Sequence, residues 1–206
     1  MASGLVVLAG CAGRPVDPPP APASAHVAVQ PGRPGFVIAA PPGGGDVDSD
    51  EIATAIARRT GFGLVVATGL SPARHVDEVY ERRVLEAARG PLRLYAEIHG
   101  SDHARCAGQI EIATSGIDRE LALRLRALAE LIRDAHLRAH PEIERLDVLV
   151  EPTEARTGGR RDGILRLPGR ALHIELPRCA RRDFRDAYTA ILAEFLAQSV
   201  PLAAGR

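Results

Sequence analysis

From Phe36 onward the chain reads as short apolar runs separated by polar segments with helical period. Phe36-Val37-Ile38-Ala39-Ala40, bounded by proline and glycine, predicts a buried strand. Gly63-Leu64-Val65-Val66-Ala67, Leu92 to Ile98, Gln109 to Ala113, Leu146 to Val150 and Ala171 to Leu176 predict five more. Helices lie between them. Asp48-Ser49-Asp50-Glu51 opens the first, with Asp48 as cap and Glu51 three residues on as its capping-box partner. Gly61 suits its C-cap. Asp118 caps a second helix running to about Ala139, with Leu121, Leu125, Leu128 and Ile132 on one face and Arg124, Glu130 and Arg133 outside. A third, from Asp183 to about Ala197, buries Phe184, Tyr188, Ile191, Leu192 and Phe195. Strands interleaved with helices predict a three-layer α/β/α domain with a mixed, largely parallel central sheet.

Composition narrows this without redirecting it. A chain of 206 residues is one ordinary domain, or a domain plus a tail. Apolar residues at 46% and charged residues at 25% exclude a disordered chain and a collagen-like repeat. The 26 basic residues, all arginine, balance 26 acidic ones, so no basic field recruits nucleic acid. Aromatics are only 3%, so Ala, Val, Leu and Ile must build the core. No stretch approaches the ~20 apolar residues of a membrane span.

The first residues read as an address. Gly4-Leu5-Val6-Val7-Leu8-Ala9-Gly10-Cys11 resembles the lipobox of bacterial lipoproteins, in which the peptidase cuts before a cysteine that carries lipid. No Lys or Arg precedes the apolar run, a departure from the usual positive start of a signal peptide; the other reading of residues 4–11 is a first strand. Residues 14–35 are dense in Pro, Ala and Gly and cannot bury enough apolar surface to fold. The expected division is a signal peptide over 1–11, a Pro/Ala-rich tether over 12–35 and an α/β domain over 36–206. The resemblance implies lipidation of Cys11 and a place in the bacterial cell envelope, facing the periplasm from the outer membrane. Cys106 and Cys179 then either pair in an oxidising compartment or stay as two buried thiols.

Two strand ends carry catalytic residue types, and in an open α/β sheet ligands gather there. In Tyr95-Ala96-Glu97-Ile98-His99-Gly100, alternation sends Glu97 and His99 to one face; in His173-Ile174-Glu175-Leu176-Pro177 it does the same for His173 and Glu175. Imidazole and carboxylate are zinc ligands, and a nearby carboxylate can act as general base. His136 and His140, spaced i, i+4, read as helix surface. No Gly-x-Ser-x-Gly elbow is present, and the Gly43-Gly44-Gly45 turn lacks the Lys-Ser/Thr of a phosphate-binding loop.

In order along the chain, Ala39 to Asp46, the Asp50-Glu51-Ile52-Ala53 helix start, Glu97-Ile98-His99-Gly100 and Leu172-His173-Ile174-Glu175-Leu176-Pro177-Arg178 resemble the N-formylglutamate amidohydrolase-like family, whose architecture is shared with zinc carboxypeptidases and poly-γ-glutamate hydrolases. The resemblance implies a zinc-exopeptidase-like fold with zinc held by Glu51 and His99. It makes Glu175 the catalytic carboxylate, and one of Arg178, Arg181 or Arg182 the holder of a substrate carboxylate. Relatives have Pro-His-Gly-Gly after the first strand, and that His is a zinc ligand; here Pro42 takes its place and offers no donor. Asp46 and Asp48 are the candidate substitutes, with His75 and His103 as further options. The activity implied is an exported, metal-dependent amidohydrolase acting on an N-acyl amino acid or a glutamyl-type peptide. The alternative is a catalytically degenerate, lipid-anchored relative that binds an envelope ligand.

Overall fold

The structure, a computed structural model, describes residues 26–41, 48–68, 76–101, 108–152 and 169–204. Seven strands form one sheet: β1 (His26–Gln30), β2 (Arg33–Ala40), β3 (Phe62–Thr68), β4 (Leu94–Gly100), β5 (Gln109–Ser115), β6 (Asp147–Pro152) and β7 (Arg170–Leu176). Their order across the sheet is β1-β3-β2-β4-β7-β5-β6. The central strands β3, β2, β4 and β7 run parallel. β1 is antiparallel to β3, β5 is antiparallel to β7, and β6 follows β5 in parallel. The helices among the described residues are α1 (Ser49–Thr60), α2 (Val76–Ala88), α3 (Arg119–Leu137), the single turn α4 (Arg178–Arg181) and α5 (Arg185–Ala204). This is the mixed, helix-flanked sheet that the interleaved pattern predicts.

Each central strand presents alternate residues to two different cores. Ile38, Leu64, Leu94, Ala96, Ile98, Leu172 and Ile174 face a large apolar layer with Ile52 and Ile56 of α1, Leu125 and Ile132 of α3, and Tyr188, Leu192 and Phe195 of α5. Val37, Ala39, Val65, Tyr95 and Ala171 face a smaller layer closed by Tyr80, Val84, Ala87 and Ala88 of α2. Near-continuous apolar runs in the strands follow from burial on both sides.

Local signals behaved unevenly. Asp118 caps α3, its carboxylate accepting from the Leu121 N–H at 2.8 Å. Gly61 closes α1 in the left-handed conformation (φ 72°), its N–H bonded to the Ala57 carbonyl, a geometry in which glycine has no Cβ penalty. The capping box at the other end of α1 does not form. Asp48 itself sits at φ 72° with no side-chain cap bond, its carboxylate engaged by Arg182 at 3.3 Å, and Glu51 turns outward to Arg185. The sheet also starts at His26 and takes in Arg33 to Gly35, inside the stretch expected to be a tether; pairing of β1 with β3 supplies the partners that isolated residues lack. Helix α2 escapes the sequence pattern because Val79 and Leu85, about half exposed, blur the period of its buried Tyr80, Val84, Ala87 and Ala88. Cys11, Pro42, Asp46, His75, His103 and Cys106 lie outside the described residues.

Candidate metal centre

Strand register assembles the site. Tyr95, Glu97 and His99 share the face of β4 opposite its apolar residues, and β7 runs parallel beside it with Glu97 opposite His173 and His99 opposite Glu175. Facing residues in paired strands point to the same side. The two Glu/His pairs, 76 residues apart in sequence, thus become one cluster at the carboxyl ends of two adjacent strands.

Glu97 is its centre. The residue is 6% exposed, and its Oε1 accepts from His173 Nδ1 at 2.6 Å and lies 3.4 Å from His99 Nε2. Its Oε2 accepts from the Tyr95 hydroxyl at 2.9 Å, and that hydroxyl lies 3.3 Å from the Tyr80 hydroxyl. Burial alone would raise the Glu97 carboxyl, but the bonds from His173 and His99 overcome it and hold it down at about 2. Burial pushes Tyr95 well above the usual phenol range, with the Glu97 charge adding to it, so Tyr95 stays a neutral donor. His173 also donates from Nε2 to Glu175 Oε1 at 3.1 Å. Burial works against its charge, but the bonds to Glu175 and Glu97 outweigh this and raise its affinity for a proton. With both ring nitrogens donating, His173 is an imidazolium between two carboxylates. The His99 and His173 rings lie 4.2 Å apart, tilted by 31°.

These residues suit a metal ion. Glu97, His99 and His173 each offer one ligand atom within 4.8 Å of the others, and a His/His/carboxylate set is a zinc donor set. Atoms that share a tetrahedral ion at ~2 Å sit roughly 3.3 Å apart. The His99–Glu97 separation of 3.4 Å already matches, while the 2.6 Å His173–Glu97 contact is a hydrogen bond that must lengthen as its proton leaves. Glu175, 29% exposed, stands at the open edge of the cluster.

The sequence-derived candidates divide. His99 and Glu175 come together as expected of neighbouring strand ends. Glu51 does not join them: α1 packs on the opposite face of the sheet, and the Glu51 carboxylate is ion-paired with Arg185. A cleft of about 510 Å3 on that side contains Glu51, Arg58 and Arg185 but none of the cluster. Asp48 is held by Arg182. Arg178 is exposed, whereas Arg181 is buried with its guanidinium on backbone carbonyls. His136 is bonded to Glu194 and His140 to Glu142, so the two do not act as a pair. Cys179 is 4% exposed and disulfide-bonded. The residues that sequence reasoning passed over as ligands are Glu97 and His173. Their signal was present in the two i, i+2 pairs, but only register shows that the pairs are adjacent. Tyr95 and Tyr80, which secure Glu97 from behind, gave no signal at all.

No family model matches the sequence, and no curated protein matches it. Solved structures do resemble it. A bacteriophage poly-γ-glutamate hydrolase has a TM-score of 0.50 at 13% identity, over 86% of this chain and 88% of that one. A gene product of Agrobacterium tumefaciens has a TM-score of 0.50 at 12% identity, over 87% and 96%. A metallo-carboxypeptidase of Burkholderia cenocepacia has a TM-score of 0.45 at 9% identity, over 86% and 60%. At such identities the fold is what is shared: this chain is a mixed α/β protein with a seven-stranded, helix-flanked sheet similar to that of poly-γ-glutamate hydrolase.

Proposed function

We propose that this chain is a metal-dependent hydrolase of amide bonds, of the zinc-peptidase type, with Glu97, His99 and His173 as the residues that would hold the ion. The observation that carries the reading is the convergence of those three side chains within 4.8 Å at the ends of β4 and β7. A zinc ion there would supply Lewis acidity toward an amide carbonyl. The chain's own groups account for the rest. Tyr95 fixes the orientation of Glu97 through its hydroxyl, the outer hydrogen bond that a ligating carboxylate commonly receives. Glu175, partly exposed and bonded to His173 Nε2, is placed to take a proton from attacking water and return it to the leaving nitrogen. The substrate class supported by resemblance is an N-acyl amino acid or a glutamyl-type peptide; the poly-γ-glutamate hydrolase fold likeness favours the second. We place the enzyme outside the cytoplasm, anchored through Cys11.

The test is zinc content and zinc titration at pH 7 of wild type and His99→Ala, beside assays on N-formylglutamate and poly-γ-glutamate. One zinc per chain, lost in the variant, with cleavage of either substrate establishes the reading. Zinc binding without cleavage of amides favours the degenerate, ligand-binding alternative that Pro42 suggests. No zinc binding by the wild type overturns the metal centre.

A further inference from the structure

Behind His99, on the opposite face of the sheet, lies a buried cation that the cluster does not use. Arg181 of α4 is 6% exposed. Its Nε donates to the Leu176 carbonyl at 3.1 Å, at the end of β7, and its Nη2 reaches the Ser101 carbonyl at 3.4 Å, just past β4. The same two strand ends are joined by the Ser101 N–H bonding the Leu176 carbonyl at 2.9 Å. The guanidinium lies flat against Gly100: a Cβ there would meet Arg181 Cζ at 2.6 Å and both terminal nitrogens at 2.8 Å. Gly100 follows His99 directly, and Leu176 follows Glu175.

Burying a guanidinium is costly unless its donors are satisfied, and an apolar side chain would fill a helix-turn position at less expense. A planar fork does what an apolar group cannot: it holds two carbonyls from different strands at fixed separation and direction. We infer that Arg181 is the positioning residue of the metal centre, locking the ends of β4 and β7 so that His99 stays in ligand register with Glu97 and His173. This rests on the metal-centre reading above. It also separates Arg181 from the substrate-carboxylate role its neighbours Arg178 and Arg182 share by sequence. Glycine at 100 is part of the lock, because any side chain would push the guanidinium off the strand.

The test compares wild type, Arg181→Met, Arg181→Lys, Gly100→Ala and the control Arg145→Met, which removes an exposed ion pair with Asp134. Two quantities are read: zinc affinity by titration, and the imidazole 1H–15N resonances of His99 and His173 in metal-free protein. Arg181→Met should weaken zinc binding roughly 10- to 100-fold and move the His99 resonances, with Arg181→Lys between it and wild type and Arg145→Met unchanged. Gly100→Ala should shift the same resonances in a chain that keeps Arg181, and it serves where Arg181→Met does not fold. A loss of stability alone, with His99 resonances and zinc affinity within twofold of wild type, overturns the inference. If wild type binds no zinc, the metal reading falls, and the imidazole resonances still decide whether Arg181 positions His99.

Discussion

The two faces of the central sheet are made by the same strands and behave as different materials. Along β4, Leu94, Ala96 and Ile98 turn toward α1, α3 and α5 and join one large apolar layer with them. Tyr95, Glu97 and His99 turn the other way, where α2 packs on β1, β2 and β3 and reaches β4 through the Tyr80–Tyr95 hydroxyl contact, and the polar groups of β4 and β7 are held by one another. The first face is stabilised by area and close packing. The second carries a charge that survives burial only because three donors surround it. Alternation with period two lets one strand do both, so stability and chemistry can be perturbed separately.

Breaking the apolar face should have the largest effect. Phe195 is fully buried in that layer, and Phe195→Ala should destabilise the fold by about 3–5 kcal/mol, read as a lower urea midpoint, while the folded fraction binds zinc within twofold of wild type. Zinc affinity falling in step with stability would show that the faces are not independent.

Next comes the charge on the second face. The depression of Glu97 from the ordinary 4.5 to about 2 corresponds to about 3 kcal/mol. Because its folded value lies below the unfolded one, this stability is present above pH 4.5 and is lost as pH falls toward 2. His173 has the opposite sign: its raised folded value contributes stability below pH 6.5 that is lost as pH rises through that value. Metal-free protein should therefore be most stable between those limits, and Glu97→Gln should flatten the acid limb. Urea midpoints from pH 3 to 8 check this; an acid limb of equal slope in the variant would assign it to other carboxylates. Zinc must displace the His173 proton, so zinc affinity should also rise with pH.

A smaller change sharpens the role of the hydroxyls. Tyr95→Phe removes the donor to Glu97 Oε2 together with the hydroxyl that faces Tyr80, so it should cost about 1 kcal/mol of stability and roughly tenfold in zinc affinity. Unchanged affinity in a zinc titration would make the Tyr95 bond a matter of stability alone. The smallest effect is expected at Glu51. Its ion pair with Arg185 is exposed, at 61% and 39%, so Glu51→Gln should alter stability by at most about 0.5 kcal/mol and leave zinc affinity within twofold. A steep loss of zinc would return Glu51 to the ligand set that the family resemblance implies.

What the sequence determined by itself was local. Short apolar runs placed six strands within a few residues, period-3.6 runs placed α3 and α5, cap signals placed α1, and Asp118 and Gly61 marked helix ends through bonds to residues three or four positions away. It also showed Glu97 beside His99 and His173 beside Glu175 on strand faces, because alternation is a property of the strand alone. The tertiary structure decided everything that crosses between elements. Parallel register of β4 and β7 fuses the two pairs into one cluster. Packing of α1 on the far face removes Glu51 from it, and Arg182 draws Asp48 away from its cap. Arg181 lies under the strands while Arg178 and Arg182 stay outside. Each of these depends on which strand lies next to which and on the side a helix crosses, and no periodicity within one segment carries that information, because a residue's own neighbours fix its direction but not its partner.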